Sequence, residues 1–176
     1  MANRSYLYSV DKIPEITNTS IRIIGLSECN YNIPLVYRIL CSVNPIASRS
    51  IIWDADEKIA ITADYLGGME KLEKFITRIQ DYVDNNILDN IRTFLNNKNN
   101  VQKYFHLECG EIFEMEDGEL GLQNLSLINE LCSLDEEIEY SIKNIKENKE
   151  NEVQVIGLDY WDNCLYYSFN KWKKSI

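Results

Sequence analysis

The chain has 176 residues, and 28 Asp plus Glu against 18 Lys plus Arg with one His give a formal charge of −10 at pH 7. That field excludes direct docking on nucleic acid or anionic lipid, because polyanions are held by clustered Lys and Arg. With 45% hydrophobic and 11% aromatic residues, the chain can bury enough surface to offset its conformational entropy, which excludes an acidic disordered tail.

Tyr6-Leu7-Tyr8-Ser9-Val10 is β-prone and ends at Asp11-Lys12-Ile13-Pro14, where the residue before proline is pushed out of helical geometry. After the polar break Thr17-Asn18-Thr19-Ser20, the β-branched run Ile21-Arg22-Ile23-Ile24-Gly25-Leu26 predicts a second strand. Pro34 opens a helix with Leu35, Ile39, Val36 and Leu40 on its apolar side, since the missing N–H of proline is harmless in a first turn. Pro45 ends it. Ser50-Ile51-Ile52-Trp53 and Lys58-Ile59-Ala60-Ile61-Thr62-Ala63 then predict a hairpin through Asp54-Ala55-Asp56-Glu57.

Asp64-Tyr65-Leu66-Gly67-Gly68 reads as punctuation. From Met69 onward, Met69, Leu72, Ile76, Ile79 and Val83 fall on one helical face, and Ile87 or Leu88, Ile91 and Leu95 mark another helix. Tyr104-Phe105-His106-Leu107 is a short β-like run, followed by an acidic stretch with a turn at Asp117-Gly118. Leu127, Leu131, Leu134, Ile138, Ile142 and Ile145 then repeat at spacings of three and four, which predicts one long amphipathic helix near 121–147. Val153-Gln154-Val155-Ile156 and Cys164-Leu165-Tyr166-Tyr167-Ser168-Phe169 read as terminal strands, and Lys171-Trp172-Lys173-Lys174 is a basic end. The expected architecture is a single α+β domain over 1–176, with an antiparallel or mixed sheet packed against several helices.

No constellation spells out a reaction, so no catalytic residue, metal or cofactor is assigned. His106 and Cys109 have the spacing of half a zinc site, but a tetrahedral site needs four ligands and no second pair exists. As nucleophile and base they lack any sign of a Cys held at a helix N-terminus, where its pKa would fall. Asp54, Asp56, Glu57 and Asp64 read as a solvated loop rather than an acid–base pair. Placing Gly118 sixth in a calcium loop puts Phe113 first, with no carboxylate ladder behind it. Gly67-Gly68 lacks the spacing and the following Lys of a phosphate cradle. Five cysteines at irregular intervals read as reduced thiols.

Charge is the strongest feature outside the core. Glu108, Glu111, Glu114, Glu116, Asp117 and Glu119 place six acids within twelve residues, and Asp135, Glu136, Glu137 and Glu139 follow with no Lys or Arg between Glu108 and Glu139. Such a run is either a solvated face or a surface that steers a basic protein partner. Glu108, Glu111, Glu114, Glu116, Asp117, Glu119, Asp135 and Glu136 are therefore the candidate partner-binding residues.

The stretches Met1-Ala2-Asn3-Arg4-Ser5-Tyr6-Leu7-Tyr8-Ser9, Gly25-Leu26-Ser27-Glu28-Cys29-Asn30-Tyr31-Asn32-Ile33-Pro34-Leu35-Val36-Tyr37, Glu57-Lys58-Ile59-Ala60 and Leu107-Glu108-Cys109-Gly110-Glu111-Ile112-Phe113 resemble a family of small bacterial cytoplasmic proteins of unknown function. That family implies no catalytic residues, and Cys29 departs from its pattern, where Trp is expected. In character, small, acidic and without catalytic motifs, the chain is similar to immunity proteins of interbacterial toxin systems, including contact-dependent growth inhibition. This second resemblance implies a cationic toxin nuclease domain, such as an RNase, as partner and the cytoplasm as location. It also implies inhibition by occlusion of the toxin's active site. The alternative is a small regulatory or ligand-binding domain without catalytic activity. The N-terminus lacks a secretory leader and no run is long and apolar enough for a membrane span.

Overall fold

The computed structural model describes residues 3–15, 20–147 and 152–163. In chain order its elements are β1 (Arg4–Val10), β2 (Ile23–Asn30), α1 (Leu35–Leu40), β3 (Ile46–Ser48), β4 (Ala60–Asp64), α2 (Tyr65–Ile79), α3 (Asn85–Leu95), β5 (Tyr104–Glu108), α4 (Gly110–Phe113), α5 (Leu120–Cys132), α6 (Asp135–Lys146) and α7 (Glu152–Ile156). The strands form one antiparallel sheet in the order β2-β1-β5-β4-β3, so the fold is α+β as expected. β5 is central, and its register places His106 between Tyr8 and Thr62, and Glu108 between Tyr6 and Ala60.

Period-two alternation divides β5 between two environments. Phe105 and Leu107 join Leu7, Ile61 and Ala63 in a core that also takes in the apolar stripes of the helices. Those stripes are the ones legible in the sequence: Leu72, Ile76 and Ile79, then Leu88, Ile91 and Leu95, then Leu127 through Ile145. The opposite face carries Tyr6, Tyr8 and Val10 of β1, packed with Ile23 of β2 and with Ile21 and Ile51 from outside the strands, with no helix over it among these residues.

Four expectations change. Ser50–Trp53 is not a strand; the hairpin partner of β4 is β3, with Ile46 opposite Thr62 and Ser48 opposite Ala60. Strand formation at 50–53 is pre-empted because the Ile51 N–H donates to Glu108, while the Ile52 and Trp53 N–H groups donate to Ser50 Oγ. The span 121–147 is helical but divided. α5 stops at Ser133 and α6 starts after Leu134, and Ser133 Oγ donates back to the Asn129 carbonyl at the break. All six apolar residues of the repeat still reach the core. Val153–Ile156 lies in a short helix, closed by Gly157 at φ 83°, the left-handed geometry favoured after a helix C-terminus. The predicted strand at 164–169 and the basic end at 171–174 lie outside the described residues.

The fourth change is Gly67-Gly68, which stands inside the first turns of α2 rather than breaking the chain. A Cβ on Gly68 would sit 2.1 Å from the Leu40 carbonyl oxygen at the end of α1, an approach only glycine permits. Gly68→Ala should therefore lower stability by about 2–3 kcal/mol in urea unfolding, because the obstacle is backbone. Gly121→Ala is the control. Its Cβ would meet only the movable Glu57 carboxylate, at 2.8 Å, and it should change stability by less than about 1 kcal/mol.

Candidate functional site

The acidic run separates into four environments. Glu108 faces inward and is 2% exposed. One oxygen accepts from the Ile51 N–H at 2.6 Å and lies 2.8 Å from His106 Nε2; the other accepts from Ser50 Oγ at 2.8 Å. His106 Nδ1 lies 2.9 Å from Thr62 Oγ1, which donates to Ser48 Oγ at 2.8 Å. Hydroxyl, imidazole and carboxylate are connected in the order of an acyl-transfer triad. None of the three is reachable, since Thr62 and His106 are 1% and 0% exposed. The network ties residues 50–53 down over the sheet and satisfies polar groups that burial would otherwise leave unpaired.

Glu111 is half-buried on α4 and anchors the start of β1, accepting from the Arg4 N–H at 2.9 Å and the Tyr6 hydroxyl at 3.1 Å. Burial first, and the adjacent Glu111 carboxylate second, push the Tyr6 phenol above its ordinary range. The acids of α6 serve another purpose. Glu137 receives both terminal nitrogens of Arg38 from α1, at 2.6 and 2.5 Å, and Glu139 makes the same forked contact with Arg78 of α2. The hydrogen bonds from Arg78 hold the Glu139 carboxyl below its ordinary range. Asp135 lies 3.9 Å from Lys71 Nζ. Of the α6 candidates, Glu136 is exposed with no ion pair to any described residue.

The fourth group is Glu114, Glu116, Asp117 and Glu119, all exposed in the turn between α4 and α5 and without an ion pair to any described residue. Turn hydrogen bonds from the Glu114 and Glu116 N–H groups to the Gly110 and Phe113 carbonyls fix its path. Met115 stands 51% exposed among these acids, and Leu122 and Leu125 are 62% and 50% exposed one helical turn apart on α5. The surface is therefore acidic with apolar side chains standing out of it. Four contacts hold it to the segment before β4 and to the start of that strand: Trp53 lies against Gly110, the Gly121 N–H donates to Glu57, and Asn124 Nδ2 donates to the Lys58 and Ala60 carbonyls.

His106 and Cys109 do not meet as a pair, since His106 lies in the polar face network and Cys109 in the helix-side core. Cys109 does precede α4, a placement that the sequence did not reveal. Burial pushes its thiol and that of Cys41 well above the ordinary range, the reverse of an activated nucleophile. Asp56 pairs with Arg49 at 3.8 Å, Glu57 holds α5, and Asp64 accepts from Asn44, so these carboxylates are dispersed. Among the described residues no group of three or more His, Cys, Asp or Glu could hold a metal ion, and no helix is long and apolar enough to cross a membrane.

A cleft of about 510 Å³ between α3 and residues 158–161 was not foreseen. Asn90, Thr93 and Phe94 line it beside Asp159 and Trp161, and Trp161 Nε1 and Asp159 Oδ1 are buried with no hydrogen-bond partner among the described residues.

These features define an α+β domain whose helices cover one face of an antiparallel sheet, with an acidic, apolar-studded turn beside them. The chain belongs to the family described as domain of unknown function DUF7822, whose model matches residues 11–148. The match runs from the turn after β1 to just past α6 and leaves the opening stretch outside it. No curated protein and no solved structure matches the chain significantly.

Glu108→Gln should test the inward role. An amide presents a donor to Ser50 or to the Ile51 N–H, so one buried contact is lost and the variant should unfold about 1–3 kcal/mol more easily in urea. Glu114→Gln, in the exposed turn, should leave the unfolding midpoint unchanged.

Proposed function

We propose that the protein is an immunity protein. It binds a cognate cationic toxin nuclease domain of an interbacterial competition system, such as an RNase, and occludes the toxin's active site. The observation that carries this reading is the turn of Glu114, Glu116, Asp117 and Glu119. Its carboxylates have no ion pair among the described residues and flank exposed Met115 in sequence, and Leu122 and Leu125 stand exposed on the helix that follows. Acids with no ion pair among the described residues are the ones offered to a cationic surface, whereas Glu137 and Glu139 are already engaged by Arg38 and Arg78. Exposed apolar side chains among charges are the usual anatomy of an interface core inside a polar rim. Carboxylates set in that turn would stand where the nuclease otherwise holds phosphates, which accounts for acidity in a protein that itself would repel nucleic acid. Such a partner acts inside the producing cell, so the reading places the protein in the cytoplasm.

A second reading, a small regulatory or ligand-binding domain, is favoured by one observation: Trp161 Nε1 and Asp159 Oδ1, buried beside the α3 cleft with no hydrogen-bond partner among the described residues. Thermal shift with a metabolite panel separates the two, because a ligand that binds the folded chain raises the melting temperature as its concentration exceeds its Kd.

The first reading is tested by co-expressing the chain with the product of the gene immediately upstream, expecting co-purification and restored growth. Reversal of Glu114, Glu116, Asp117 and Glu119 to Lys should slow association by at least about tenfold at low salt and flatten its salt dependence. No complex and no rescue with the unaltered chain would overturn the proposal.

A further inference from the structure

The acidic turn does not end on a flat surface. Between α4 and α5 lies a cleft of about 210 Å³ with Ile112, Phe113 and Leu127 among its lining residues and Glu116 and Glu130 beside them. Phe113 and Leu127 are buried, while both carboxylates are exposed and without an ion pair to any described residue. The volume falls below the roughly 300–1,000 Å³ typical of small-molecule sites. It suits a single side chain.

We infer that this cleft receives one arginine side chain of a cationic protein partner. An arginine presents three methylenes and a planar cation, so its stem can lie along apolar surface while its head stays at the mouth. Ile112, Phe113 and Leu127 supply the apolar surface. Glu116 and Glu130 supply two acceptors for the forked guanidinium, which binds carboxylates with more geometric specificity than an ammonium does. An apolar side chain would fill the floor but leave both carboxylates without a counter-charge. No Lys or Arg among the described residues pairs with either carboxylate, so the counter-charge is supplied by the partner. A buried arginine of this kind is a common anchor of protein interfaces. The inference rests on the reading that this face meets a cationic protein, and it names the anchor.

The test uses the full chain labelled with ¹⁵N and three hexapeptides as probes: hexa-arginine, hexalysine, and a neutral peptide with a single central Phe. Hexa-arginine should give saturable shifts at Ile112, Phe113, Gln123 and Leu127, and hexalysine should bind more weakly there. Glu116→Gln with Glu130→Gln should retain the folded spectrum and weaken hexa-arginine binding roughly fivefold. Three outcomes overturn the inference: shifts spread over every acidic surface, affinity unchanged in the double variant, or tighter binding of the Phe peptide. Cleft binding without toxin binding or rescue would leave the anchor standing and remove the immunity reading. Rescue with a silent cleft would do the opposite.

Discussion

The carboxylate of Glu108, at the end of the central strand, is the contact on which the rest of the architecture depends. Apolar helices cover one face of the sheet, but the other presents Tyr6, Tyr8, Thr62, His106 and Glu108 and, among the described residues, has only irregular chain to close it. An irregular segment brings unpaired N–H groups with it, and burying them is costly unless each finds an acceptor. Glu108 takes the Ile51 N–H and the Ser50 hydroxyl, and that Ser50 oxygen in turn accepts the Ile52 and Trp53 N–H groups. Ile51 can then close the second core with its backbone satisfied. The same segment continues to Trp53 under Gly110 and to Glu57 at the start of α5, so the acidic turn is positioned from beneath by this buried contact.

Acidic residues close in sequence thus perform unlike tasks, and the partners they face decide which. Glu108 satisfies a buried loop, Glu111 holds the start of β1, and Glu137 and Glu139 fasten α6 to Arg38 of α1 and Arg78 of α2. The forked geometry at Arg38, partly withdrawn from water, is of the kind that contributes measurably, unlike a single long contact such as Asp135 with Lys71. Removing these engaged carboxylates from the count leaves a smaller and better located field than the net charge suggests. It centres on the four acids of the α4–α5 turn.

Much of the frame was legible because helical and strand periods survive tertiary folding. Leu72, Ile76 and Ile79, and Leu88, Ile91 and Leu95, fall where the spacing of three and four puts them. Context overrode local preference elsewhere. The propensity of glycine argues against a helix at Gly67-Gly68, yet the Leu40 carbonyl admits nothing larger at Gly68. Ser50–Trp53 has the β-branched content of a strand, but side chains took the N–H groups a ladder would use. The inward turn of Glu108 had a signal. In a central strand, Tyr104, His106 and Glu108 alternate with Phe105 and Leu107, which marks one polar buried face rather than the start of an acidic surface. No sequence pattern announces the α4–α5 cleft, whose walls come from two helices separated by a turn.

Magnitudes decide how such a surface could hold a partner. An exposed ion pair contributes about 0.2–1 kcal/mol, so four carboxylates in the turn supply at most about 4 kcal/mol. A nanomolar complex requires about 12 kcal/mol. Charge can therefore govern how fast a cationic partner arrives and in which orientation, but not how long it stays. Residence must come from desolvated contacts, and the apolar groups placed to make them are Met115, Leu122, Leu125 and the Ile112–Phe113–Leu127 cleft. A basic side chain entering that cleft would join both contributions at one point, because its charge is drawn by the field and its stem is held by the core. On the proposed reading, the acidity of the chain and its exposed leucines would belong to a single interface with a division of labour: carboxylates for encounter, apolar anchors for lifetime.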